Sequence, residues 1–164
     1  MALGQYSDKP KKVYLGIAEG KLFHSQDGKK EYFSYVDGSV ERIYKQERNF
    51  NGETVLYWYI DLRGSKDELY SISLPYKSGT FKSIVLALAS DTAIALSTVK
   101  IEPYQKEGFT KVVVSSNGKK LDWVTKQLPE VGEVYIAGQR VKDDTKRMEV
   151  IEQLVSTING RLQK

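Results

Sequence analysis

The segment Glu53–Arg63 limits the fold of this chain more than any other, because its residues alternate with a period of two and show no helical period. Successive side chains of a β-strand point to opposite faces of a sheet. The face expected in the core carries Leu56, Trp58, Ile60 and Leu62. The opposite face carries Val55, Tyr57, Tyr59, Asp61 and Arg63. This second face is aromatic, polar and partly basic, which is typical of a surface on which unstacked bases lie.

Turn signals predict further strands around this segment. Asn51-Gly52 and Asn117-Gly118 indicate two-residue hairpin turns. Asp37-Gly38 precedes a long strand, and its glycine is expected where that strand bends sharply. The predicted strands span 13–23 (with a turn near residues 19–20), 31–36, 39–48, 53–63, 68–74, 97–104, 109–116, 119–124 and 133–137.

Two helices interrupt the strand pattern. The first is expected to start at residues 78–80 and to be short and mostly buried, since Phe81, Ile84, Val85 and Leu88 recur at helical spacing. The second is expected after a cap at residues 142–145. Its apolar stripe consists of Met148, Ile151, Leu154, Val155, Ile158 and Leu162.

The order of these elements predicts the fold class. From residue 39 to residue 123 the order is three strands, one helix and two strands. This order is typical of a five-stranded Greek-key barrel, the OB-fold. We therefore expect a mainly β chain with an OB-fold barrel at 37–126 and one helix between its third and fourth strands. A polar arm and hairpin extension are expected at 1–36, and a linker, a short strand and the amphipathic helix at 127–164.

Five segments carry a resemblance to a known family: Val36-Asp37-Gly38-Ser39-Val40, the strand 58–62, the strand 69–74, the helix 81–88 and the run 99–104 followed by Gly108. Over about residues 32–123 the chain resembles OB-fold single-stranded DNA-binding proteins, particularly the divergent phage and prophage type. The resemblance implies a protein of DNA replication or recombination in the cytoplasm of a bacterial or phage-infected cell. Typical bacterial members end in a glycine-rich tail with an acidic tip that recruits partners. This chain ends in Arg161-Leu162-Gln163-Lys164, so recruitment through such a tail is not expected.

Composition excludes several classes of chemistry. The 164 residues include no cysteine and a single histidine, His24, so no disulfide, thiolate metal site or Ser-His-Asp set is expected. No phosphate-binding glycine loop is present. We expect no enzyme activity, no metal and no cofactor. The net charge of +4 permits an anionic partner, and no apolar run is long enough to span a membrane.

The candidate site follows from what a single-strand binder requires, namely exposed rings for bases and cations for phosphates. An OB-fold presents these groups on its second and third strands and in neighbouring loops. Tyr57 and Tyr59 are the expected stacking rings, whereas Lys45, Lys66 and Phe109 flank the same surface. The predicted nucleic-acid-binding residues are Arg42, Tyr44, Arg48, Tyr57, Tyr59, Arg63, Lys77, Tyr104 and Lys106.

Alternatives remain open from the residues alone. Tyr57 and Tyr59 would instead be structural if they cover the N-terminal hairpin or the C-terminal helix. Trp58 is expected in the core and Trp123 as a lid on the barrel end. The stripe of the last helix either docks on its own barrel or joins two copies of the chain. The alternative functions are a protein-interaction or structural β-barrel module, and an RNA or oligosaccharide binder.

Overall fold

The computed structural model describes residues 12–125, 127–129 and 132–163, and within these ranges the chain is mainly β. The predicted polar arm, except Lys12, lies outside the described residues. The helices are α1 (Gly79–Leu88) and α2 (Thr145–Leu162), with a 3-10 turn at Ile94–Leu96. The strands are β1 (Lys12–Ala18), β2 (Lys21–Gln26), β3 (Lys29–Phe33), β4 (Val36–Phe50), β5 (Glu53–Arg63), β6 (Leu69–Pro75), β7 (Val99–Lys106), β8 (Phe109–Ser116), β9 (Lys119–Lys120), β10 (Gly132–Ile136) and β11 (Gln139–Asp143).

Nine of these strands form one sheet in the order β3-β2-β1-β6-β5-β4-β7-β8-β9, while β10 and β11 form a separate hairpin. The predicted turns are confirmed, since Asn51 and Gly52 have φ angles of 49° and 84°, and Asn117 and Gly118 have 51° and 86°. Gly38 lies where β4 passes from pairing with β7 to pairing with β5. A Cβ on Gly38 would lie 2.5 Å from the Arg63 carbonyl oxygen, so this position requires glycine.

The N-terminal strands β1–β3 continue the nine-stranded sheet beyond β6. β4 pairs with β5 and β7, β5 with β6, and β7 with β8. Among the described strands β6 does not pair with β8, and its second edge instead pairs in parallel with β1. The β1–β2 turn reaches the β7–β8 hairpin, where the Gly20 amide donates to Thr110 Oγ1 at 3.2 Å. β1 therefore satisfies an edge of β6 that would otherwise be unpaired.

The core lies between the inner face of β4–β8 and both helices. The Ser78 side chain caps α1 by accepting from the Phe81 amide at 3.1 Å, which confirms the predicted helix start. Trp58 is only 1% exposed, as predicted. The predicted strand 119–124 is shorter in the structure: β9 ends at Lys120, and the Leu121 amide still donates to the Val114 carbonyl of β8 at 2.8 Å. Beyond it the chain reaches α1, where the Val124 amide donates to the Leu86 carbonyl at 2.9 Å.

Helix α2 docks on its own chain. Its stripe residues Met148, Ile151, Val155 and Ile158 are buried in the common core. Asn159 also replaces a strand partner, because its side chain accepts from the Ile43 amide at 3.0 Å and donates to the Ile43 carbonyl at 2.8 Å. The intramolecular alternative for this helix is therefore confirmed, and the helix covers the edge of β4 beyond its pairing with β7.

We expect Asn159→Ala to lower the free energy of unfolding by about 1–3 kcal/mol, because it leaves a part-buried amide and carbonyl of β4 without partners. Alanine is the better helix former, so the loss of these hydrogen bonds is offset slightly. Urea denaturation measures the change. The control is Ser156→Ala on the exposed side of α2, and equal stability of the two variants would contradict the docking role of Asn159.

Candidate nucleic-acid interface

Neighbouring strands place a band of aromatic and charged side chains on the face of the sheet opposite the core. The register of β4 and β5 sets Arg42 opposite Asp61 and Tyr44 opposite Tyr59. We name this band the outer aromatic face. It consists of Lys12, Tyr14, Arg42, Tyr44, Arg48, Phe50, Tyr57, Tyr59 and Asp61.

The rings of this face form two groups, and Arg48, which lies over both Tyr57 and Tyr59, joins them. Tyr44 stacks on Tyr59 with ring centroids 5.2 Å apart and an interplanar angle of 12°. Tyr14 meets Tyr59 edge-on at 6.3 Å. Phe50 lies tilted against Tyr57 at 6.0 Å. Each of these rings therefore contacts a ring that lies on a different strand.

Cations lie directly over these rings. The Arg42 guanidinium is 4.2 Å from the Tyr44 ring centroid, and the Arg48 guanidinium is 4.8 Å from that of Tyr57. Arg48 also lies 5.5 Å from the Phe50 ring, and the Lys12 ammonium lies 5.8 Å from the Tyr44 ring. Such contacts between a cation and a ring face are attractive, and here they gather positive charge on an aromatic surface.

Asp61 anchors one end of the face. This carboxylate is 6% exposed, and its Oδ2 accepts from Lys12 Nζ at 3.0 Å and from Arg42 Nε at 3.2 Å. The hydrogen bond that Arg42 donates to Asp61 raises the pKa of Arg42 above its usual range. Asp61 Oδ1 and the Oγ of its cross-strand neighbour Ser71 are buried without a partner among the described residues. The sequence analysis placed Asp61 on this face but did not predict its role as an anchor.

Tyr59 is not a free stacking ring, which corrects its predicted role. It is 5% exposed because Tyr44 and Tyr14 cover it, and burial raises its pKa. Its contact with β1 supports the structural alternative for this residue. Tyr44 and Tyr57 are half-buried, and the most accessible rings are Tyr14 at 52% and Phe50 at 46% exposure. Phe50 could have been predicted as a site residue from the sequence, because it adjoins the predicted hairpin turn. Tyr14 could not, because nothing in the sequence near it identifies β6 as the pairing partner of β1.

Four of the predicted residues lie apart from this face. Arg63 is occupied by ion pairs with Glu41 and, at 2.6 Å, with Asp67. Lys77 pairs with Asp144 at 3.4 Å. Tyr104 and Lys106 lie on the β7–β8 hairpin, and no contact joins them to the outer aromatic face within the described ranges. These four residues stay predictions: within the described ranges none of them has a ring or cation–π contact with the outer aromatic face, although Arg63 lies on the same side of β5 as Asp61.

The flanking candidates are also separate from the face. Lys45 donates to Glu152 of α2 at 2.7 Å. Lys66 lies in the exposed loop between β5 and β6, and Phe109 is exposed at the start of β8. The structure therefore gathers Arg42, Tyr44, Arg48, Tyr57 and Tyr59, and adds Lys12, Tyr14 and Phe50, which the sequence analysis missed.

A pocket of about 480 Å³ adjoins the outer aromatic face. Arg48, Tyr57 and Tyr14 line one side, and Phe23 and His24 of β2 line the other. His24 Nδ1 is 3.0 Å from the Tyr14 carbonyl oxygen, which joins the two strands at this point. Leu15, Ile17 and Leu74 also line it, so the pocket combines aliphatic, aromatic and polar groups.

The remaining chemistry of the described residues is limited. In ranges 12–125, 127–129 and 132–163, no three His, Cys, Asp or Glu side chains come together as a metal site. Within the same ranges, neither helix combines the length and the apolar character that crossing a membrane requires.

Comparisons of the chain with protein-family models, with curated proteins and with solved structures gave no match. The case for a function therefore depends on the outer aromatic face and on the chemistry of its side chains.

Proposed function

We propose that the chain binds single-stranded DNA on the outer aromatic face, without catalysis and largely without sequence preference. We further propose that β4–β8 and α1 correspond to the five strands and the helix of an OB-fold, in which β1 pairs with the third strand. The observation that carries the proposal is the interleaving of rings and cations on one face, with Arg42 over Tyr44 and Arg48 over Tyr57.

The rings would act in two layers. Tyr14, Phe50 and Tyr57 are accessible enough to stack on bases. Tyr59 and the stacked Tyr44 form the support beneath them. Stacking of a base on an aromatic side chain contributes about 1–3 kcal/mol and tolerates any base, because every base has a π-face. Such a surface gives affinity without reading the sequence.

The cations would exchange partners when DNA binds. In the free protein Arg48 covers the Tyr57 ring, so a base that stacks there displaces the guanidinium. The displaced guanidinium is then free to bind the phosphate of the same nucleotide, in the bidentate manner that arginine favours. The pocket beside Tyr57 and Tyr14 offers space for a neighbouring base. Stacking and phosphate binding are thus linked through one side chain.

The test is fluorescence anisotropy of labelled oligo-dT, with duplex DNA and oligo-U as competitors. If three cations meet phosphates, we expect affinity to fall by about twentyfold between roughly 50 and 200 mM salt, because single strands release about 0.7 counterions per contact. Duplex DNA should compete poorly, and oligo-U reports the preference between DNA and RNA. Absence of binding at low salt, or equal competition by duplex, would remove the proposal.

The second candidate function is a protein-interaction module without nucleic-acid binding. One observation favours it, namely that β10 exposes three consecutive apolar side chains, Val134, Tyr135 and Ile136. The same titration separates the two candidates, since such a module gives no salt-dependent change in anisotropy with oligo-dT.

A further inference from the structure

A second pocket, of about 490 Å³, lies between the start of β1, the β3–β4 connection and β6. Val13 of β1 lines it, whereas Lys12 and Tyr14 on either side belong to the outer aromatic face. Because side chains alternate along a strand, this pocket opens on the other side of β1. It shares no residue with the face proposed to bind DNA, so it needs an explanation of its own.

The lining of this pocket combines aromatic rings with carboxylates. Its rings are Tyr32, Phe33, Tyr35 and Tyr70, and its carboxylates are Asp37 and Glu68. Tyr32 and Tyr35 are 55% and 51% exposed, so their faces are accessible. A cavity with π-faces and negative charge attracts a cation that also has an apolar or planar part.

The carboxylates of this pocket, Asp37 and Glu68, have no ion-pair partner among the residues that the structure describes. Glu68 Oε2 accepts from the Tyr70 hydroxyl at 3.2 Å, but its Oε1 is buried and has no hydrogen-bond partner in those ranges. Burial, together with the negative charges of Glu68 and Asp37, raises the pKa of Tyr70. An unpaired carboxylate oxygen of this kind is costly unless a donor occupies the site.

A ring of this pocket already holds a cation. The Lys100 ammonium lies 4.4 Å from the centroid of Tyr35, and the same ammonium is 3.8 Å from Glu102. Lys100 is not among the lining residues, but it is the cross-strand neighbour of Asp37, so part of its charge lies beside that carboxylate. Glu68 is therefore the carboxylate of the pocket that remains available to a second cation.

We infer that this pocket binds the side chain of an arginine that a partner protein presents. A guanidinium is planar, stacks on aromatic faces and carries five N–H donors that fit a carboxylate in pairs. A quaternary ammonium has no N–H and cannot donate a hydrogen bond to the carboxylates of the pocket. The inference is independent of the proposed DNA binding, since it uses none of the residues of the outer aromatic face.

The test is an ¹H–¹⁵N NMR titration of the full chain with N-acetyl-arginine amide, with the neutral isostere N-acetyl-citrulline amide as the matched probe. We expect saturable shifts at residues 32–37 and 68–70 with the arginine probe alone. A glycine-serine peptide with one central arginine should bind at least as tightly as the amide. Equal shifts with citrulline, or exclusion of the peptide, would overturn the inference.

Variants locate the contact. Glu68→Gln should weaken arginine binding about tenfold or more, because a charge-assisted hydrogen bond is lost while the amide can still accept from Tyr70. Tyr32→Ala, at an exposed ring, should weaken binding about threefold or more through the lost cation–π contact. The control is Glu133→Gln on the separate β10–β11 hairpin. Unchanged affinity in both pocket variants would contradict the inference, and oligo-dT binding measured on them reports the DNA proposal separately.

Discussion

We expect Trp58→Ala to lower the free energy of unfolding by about 3–5 kcal/mol, the largest effect of any single substitution proposed for this chain. The indole is 1% exposed and is stacked with two rings. The ring centroid of Phe81 on α1 lies 4.7 Å away and that of Tyr76 lies 5.6 Å away, both nearly parallel to the indole. Alanine would leave a cavity between β5 and α1 that rigid neighbours cannot fill.

The effect should extend to the docking of α2. Trp58 Nε1 donates to the Tyr76 carbonyl at 3.1 Å, and the Tyr76 hydroxyl donates to Glu152 of α2 at 2.8 Å. Burial and this hydrogen bond to Glu152 raise the pKa of Tyr76 to about 12. Trp58 therefore holds Tyr76 in place, and Tyr76 is one of the residues that hydrogen-bond the sheet to α2.

Urea denaturation followed by circular dichroism measures the loss, and Trp123→Ala provides the matched control. Trp123 is 46% exposed, so its removal should change the free energy of unfolding by only about 0.5–1 kcal/mol. A loss in Trp58→Ala as small as that expected for Trp123→Ala would mean that Trp58 is not a core residue. A large loss in Trp123→Ala alone would instead favour its predicted role as a lid.

Local signals were sufficient for the central elements of the fold. Alternation from Glu53 to Arg63, the Asn-Gly turns at 51–52 and 117–118, and the cap at Ser78 each specify structure within a few residues. The apolar stripe of α2 predicted its buried face for the same reason. These features depend on neighbours in sequence, which a single chain displays directly.

Features that depend on distant partners were not recoverable. The alternation along β1 gives its two faces but not its parallel pairing with β6. β11 was missed for a local reason, since its hairpin turn is Ala137-Gly138 and lacks the Asn-Gly signal. Period two placed Tyr59 on the outer face, yet its burial depends on rings from β1 and β4. The acidic partner of Lys77 is Asp144, far away in sequence. The face of a strand on which a side chain lies follows from the local sequence. Its burial and its ion-pair partners depend on residues that are distant in sequence.

The second large effect concerns DNA affinity. We expect the double variant Arg48→Ala with Tyr57→Ala to bind oligo-dT about 10- to 100-fold more weakly, because it removes one stacking ring and one phosphate contact. Both side chains are accessible on the outer aromatic face, so the fold should persist. The buried Tyr59 is unsuitable for this purpose, since its removal would also disturb the packing of Tyr14 and Tyr44.

The chain offers a matched control for this variant. Arg140 lies 5.9 Å from the Tyr135 ring on the exposed β10–β11 hairpin, which reproduces an arginine over a tyrosine outside the proposed site. The double variant Arg140→Ala with Tyr135→Ala removes the same number of charges and rings. If it weakened binding as much as the first pair, affinity would follow from net charge and not from the outer aromatic face.

The two single variants separate the roles of the two side chains. Arg48→Ala should reduce the slope of log affinity against log salt by about 0.7, because one phosphate contact disappears. Tyr57→Ala should lower affinity at every salt concentration and leave that slope unchanged, because stacking releases no counterion. If Tyr57→Ala changed the slope as Arg48→Ala does, the ring would serve only to position the guanidinium. The proposed exchange of Arg48 from ring to phosphate requires the two behaviours to differ.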